Sequence, residues 1–81
     1  MSRKMQNLLD EKKELEDKID FCEQGIEERQ EYLEDCEDEH KQMVIENEIF
    51  DHENLKNECL ERISDIQQEI DTLEEEEEKS E

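Results

Sequence analysis

The sequence has no proline and a single glycine, Gly25. Strands and tight turns draw on both residues, so their near absence points away from a turn-rich β fold and towards helix. No apolar run approaches the ~20 residues that cross a bilayer. Positive charge is scarce: ten Lys and Arg stand against thirty Asp and Glu, a formal net charge of −20. That field repels nucleic-acid phosphates, anionic membranes and the acidic surface of a microtubule. It suits a basic protein surface, so the expected partner is a protein, with no nucleic acid and no membrane. The three cysteines (Cys22, Cys36 and Cys59) are odd in number and no signal-peptide pattern accompanies them. Both features fit a reducing, cytoplasmic setting.

What is present is periodicity. The chain of 81 residues is too short to enclose a large core, and only 30% of it is hydrophobic. That ratio fits long helices with narrow apolar seams and reads as a single coiled-coil segment of a larger protein. Met5, Leu8, Lys12, Leu15, Ile19 and Cys22 alternate spacings of three and four, and Ile26, Arg29, Leu33 and Cys36 continue them. This is a heptad seam, with Met5 at a and Leu8 at d. A second seam runs through Gln42, Ile45, Ile49, His52, Lys56 and Cys59 and on through Ile63, Ile66, Ile70 and Leu73. Here Gln42 is a and Ile45 is d.

The seams are out of phase. The first would place its next d at Met43, two residues before Ile45, and two residues turn a helix by about 200°. One straight helix cannot keep both seams on one face. If the chain reverses near residue 39, Met5 mirrors Leu73, Leu8 mirrors Ile70, and the pairing continues inward to Cys36 and Gln42. Every pair then joins an a to a d, as the layers of an antiparallel coiled coil do. The expected fold is all-α: an antiparallel two-helix coiled-coil hairpin, with a long parallel dimeric coiled coil as the alternative. The first helix is expected over about 2–36, the turn over about 37–41, the second helix over about 41–76, and an acidic tail over 77–81. Ser2 is suited to cap the first helix. The fold-back also brings Arg3 and Lys4 towards the glutamates at 74–78, whereas a parallel dimer would stack those glutamates on their own copies.

No constellation carries catalysis. The carboxylates are too many and too dispersed for an acid–base pair, and nothing resembles a phosphate loop or a nucleophile elbow. Cys36 and His40 have helical ligand spacing, but no second pair completes a metal site, so neither metal nor cofactor is expected. Cys22 and Cys59 fall in neighbouring layers and read as small apolar core residues rather than a disulfide. His52 reads as a partly solvated seam residue facing Ile26. Leu9, Phe21, Tyr32, Val44, Phe50, Leu55 and Leu60 lie off the seam, free to widen the core or to meet a partner. Exposed aromatics on a charged helix are informative, so Phe21 and Phe50 are contact candidates. Gly25, at a g position opposite Glu53, would permit close approach of a backbone or a slight kink.

The stretch Leu15, Ile19, Asp20, Phe21, Gly25, Ile26 and Gln30 resembles a stalk segment of the kinesin-4 family and its relatives. The preceding "LLDEKKELEDK" is compatible with it. The resemblance implies a non-enzymatic regulatory coiled coil of a motor-protein stalk, forming an intramolecular hairpin that restrains a kinesin-like motor domain. It assigns Ile19, Asp20, Phe21, Gly25 and Ile26 to hairpin integrity and the motor-facing surface, and it implies a cytoskeleton-associated protein. Self-association into a structural oligomer, or an acidic mimic of nucleic acid, are the other function classes the sequence leaves open.

Overall fold

The computed structural model describes residues 2–79. Helix α1 spans Arg3–Asp35 and helix α2 spans Glu39–Lys79. The two lie against each other in an extended hairpin whose principal dimensions are 65 × 15 × 14 Å. One uninterrupted helix is thereby excluded, and the seams close within a single chain.

Each helix begins on a side-chain cap. The Ser2 hydroxyl accepts a hydrogen bond from the Met5 backbone N–H at 3.1 Å, and Asp38 Oδ1 accepts from the N–H groups of His40 (2.9 Å) and Lys41 (3.4 Å). Both occupy free N–H groups of a first helical turn. The link therefore covers only Cys36–Asp38, and the turn expected over about 37–41 is corrected: His40 and Lys41 already belong to α2. Among the described residues none has a positive φ. The reversal instead uses an extended Cys36 (φ −87°, ψ 119°) followed by the Asp38 cap. Gln42 Nε2 reaches back to the Cys36 carbonyl at 2.6 Å and ties the second helix to the end of the first. At the far end α2 continues through Lys79, three residues past the expected boundary at 76. Of the expected tail, residues 80 and 81 lie outside the described residues.

All twenty seam positions are buried or half-buried. Outside the seam, only Leu9, Glu11, Gly25 and Gln67 among the described side chains escape full exposure. Several cross-helix contacts fall within one residue of the mirrored register, while longer side chains reach further, as in Arg62 to Glu11 and Phe21 to His52. Lys12 Nζ donates to Gln67 Oε1 beside its expected layer partner Ile66, and Lys56 pairs with Glu23 beside Cys22. Burial is uneven along the rod. Met5, Leu8, Ile66 and Ile70 form a compact cluster near the open end, covered by Leu9, Leu15 and Leu73. Ile19, Cys22 and Cys59 are buried in the middle. Nearer the link, Ile26, Leu33, Ile45 and Ile49 are only half-buried, because that part of the seam also carries Arg29, Gln42 and His52.

Candidate protein-contact surface

The part of the hairpin between its middle and the link holds its most specific local arrangement, built around Gly25. The His52 ring lies directly over this glycine. A Cβ added there would sit 2.9 Å from His52 Cδ2 and Nε2 and 3.3 Å from Arg29 Nη1. The close approach is by an imidazole of the opposite helix rather than by its backbone. His52, expected to face Ile26, has slipped one residue towards the α1 N-terminus into the space that the missing side chain leaves.

Phe21, one turn earlier on α1, meets the His52 ring edge-on, with centroids 6.4 Å apart and planes at 75°. Arg29, one turn later, donates from Nη1 to the Gly25 carbonyl at 3.1 Å and from Nε to Glu48 Oε2 at 2.8 Å. The imidazole is thus bracketed by an aromatic edge and a guanidinium that α2 itself holds in place. Together these side chains floor a shallow cleft of about 230 Å³, rimmed by Gln24 and Glu28. Phe21 remains 68% exposed, so most of its ring faces solvent above the cleft.

Of the four contact candidates, the structure brings together Phe21 and Gly25. Asp20 is exposed at a b position, on the other flank of α1. Phe50, 61% exposed, sits at a b position on the outer side of α2, away from the Gly25 cleft. Sequence reasoning missed that His52 is the partner of Gly25. The heptad letters placed the imidazole in the adjacent Ile26 layer and did not resolve which side chain covers the glycine. Sequence reasoning also missed ion pairs that cross the hairpin, among them Glu11–Arg62, Glu23–Lys56 and Arg29–Glu48. Arg62 and Glu11 engage in two bonds, at 3.0 and 3.3 Å, and this pairing raises the guanidinium pKa further above its usual value. At the open end Lys4 and Glu76 line one groove, as the fold-back requires.

The titratable core group is Cys22. Burial, with a smaller contribution from Cys59 nearby, pushes its thiol pKa up, against a lowering influence of Lys56. It is therefore a neutral thiol at physiological pH and a weak nucleophile. All three cysteines are free. Among the described residues no group of three or more His, Cys, Asp or Glu side chains is placed to hold a metal ion, and Cys36 Sγ instead contacts the Asp38 carbonyl at 3.6 Å. No helix among the described residues is long and apolar enough to cross a membrane. Comparison of the chain with protein-family models, curated proteins and solved structures finds no match.

Proposed function

We propose that this chain is a non-enzymatic regulatory hairpin that acts by docking its acidic exterior onto a basic surface of a partner protein. One observation carries the reading. The apolar seam is consumed within the chain, so the exterior left for partners is a slender rod of net charge −20. Such a body associates by long-range attraction to positive surfaces. The Phe21–Gly25–His52 cleft adds a defined contact on that rod, with an exposed aromatic seated on a fixed imidazole. The stalk-like stretch around Ile19–Ile26 names the partner to test, a kinesin-like motor domain restrained by the hairpin, and with it a cytoplasmic, cytoskeleton-associated setting.

The test is a binding and motility assay with such a motor domain. Wild-type hairpin is expected to bind with an affinity that falls steeply between low and physiological salt, as screened charge attraction does. Phe21→Ala, and separately reversal of Glu27 and Glu28 to lysine, are each expected to weaken binding about tenfold, the scale of losing one well-placed contact. Salt-independent binding, or motility unaffected by saturating hairpin, would contradict the reading.

A further inference from the structure

In a chain that is 49% charged, one long strip of surface is almost free of charge. It lies on the outer side of α2, in the b and f rows that face away from α1. At positions 43, 47, 50, 54, 57, 61, 64 and 68 the sequence reads M, N, F, N, N, E, S, Q, with Glu61 as the sole charge. The equivalent rows of α1, from Gln6 to Glu34, are charged at seven of nine positions. All eight α2 positions are exposed. Among the described residues no side-chain hydrogen bond engages the amides of Asn47, Asn54 or Asn57.

The strip is apolar where it matters. Met43 and Phe50 are 63% and 61% exposed, and Leu60 at the neighbouring e position is also exposed. Nothing in the hairpin needs them there, because the seam closes without them. On either side the strip is edged by carboxylates: Glu46 and Glu53 in the e row, and Asp51, Glu58 and Asp65 in the c row. The whole runs roughly 38 Å, at 1.5 Å per residue.

We propose that this outer face of α2, from Met43 to Gln68, is a docking strip for an amphipathic helix with basic flanks, presented by a partner protein. The partner's apolar ridge lies along Met43 and Phe50, seven residues or about two turns apart, with Leu60 turned about 80° towards the e row at the edge of the strip. The asparagine amides bond polar groups along the ridge. Lys and Arg on the partner's two flanks meet the two acidic rows. An adaptable methionine beside a rigid aromatic is a suitable anchor pair for such a ridge. A second copy of the chain fits poorly, because it would set acidic rows against acidic rows and double a charge of −20. The inference rests on the acidic-docking reading above and adds the location and the shape of the ligand.

The test uses the full 81-residue chain and two fluorescent peptides of identical composition. In one, leucines form a single ridge between Lys and Arg flanks; in the other, the order is scrambled so that no ridge exists. The amphipathic peptide is expected to bind about tenfold or more tightly than the scrambled one. Met43→Ala with Phe50→Ala is expected to abolish that difference, while Tyr32→Ala, on the other helix, leaves it intact. Circular dichroism verifies that each variant keeps its helix content. Equal binding of both peptides, unmoved by the Met43/Phe50 change, would overturn the docking strip while leaving charge-driven docking standing. Failure of both peptides to bind at low salt would overturn both. Sedimentation equilibrium that shows copies associating through Met43 and Phe50 would also overturn it, by giving the strip to a second copy.

Discussion

A glycine in mid-helix gives up about 1 kcal/mol relative to alanine, and Gly25 shows what the helix receives in return. The His52 ring occupies the space above its Cα, flanked by Phe21 and Arg29. Replacing Gly25 with alanine gains helix propensity and displaces the ring; the two effects oppose each other. In a His52→Ala background the gain remains, opposed only by a small shift of the flexible Arg29 tip. Gly25→Ala is therefore expected to stabilise that background by about 1 kcal/mol and the wild type by clearly less. The difference is a coupling of about 0.5–1 kcal/mol, the range found for residues in contact. Urea denaturation followed by circular dichroism measures it, and equal effects in both backgrounds would show that the imidazole does not depend on the glycine. The sequence revealed that Gly25 stands beside the seam. It did not reveal which side chain fills the gap, because side-chain direction shifts a contact by a residue and heptad letters do not resolve that.

The helices themselves were legible from the three–four alternation, and the reversal from the phase break between Cys36 and Gln42. Those signals are strong because a seam position is burial-critical in every layer, and a break in phase leaves no alternative on a straight helix. The link was less legible. With no glycine or proline to mark it, its bounds depend on which acidic residue caps α2, and "EDEHK" offers three. Asp38 takes the role because its short side chain reaches the N–H groups of His40 and Lys41. Asp38→Ala removes both bonds and is expected to cost about 1 kcal/mol, the usual worth of an N-cap. The loss should appear in hydrogen exchange as faster opening of residues 39–45, with little change at the Met5–Leu8–Ile66–Ile70 cluster. Uniformly faster exchange along both helices would mean that the link and the cluster open as one unit. The link-proximal half is the weaker part because its layers carry Arg29, Gln42 and His52 in place of aliphatic residues.

At the scale of the whole molecule, two opposed tendencies are combined. The seam draws the helices together through a thin row of aliphatic contacts, and a charge of −20 pushes the rod towards extension and opposes the approach of like-charged surfaces. The ion pairs Glu11–Arg62, Glu23–Lys56 and Arg29–Glu48 offset little of that repulsion, since solvent-accessible pairs contribute roughly 0–1 kcal/mol each. What holds the chain closed is the fit of its two seams, and everything proposed about its partners follows from the exterior this closure leaves. The charge was legible in the composition. The uncharged strip on α2 was not, because it appears only once the fold shows which rows face away from α1. The direct test is a distance across the rod. Spin labels carried on non-natural residues at Gln6 and Thr72, both exposed, should lie within the span of a cross-section 15 × 14 Å between backbones, lengthened by the label arms. That short distance should persist when labelled chains are diluted into an excess of unlabelled ones. A separation of roughly 100 Å, the length of 66 residues of continuous helix, or a short distance that vanishes on dilution, would contradict the intramolecular hairpin.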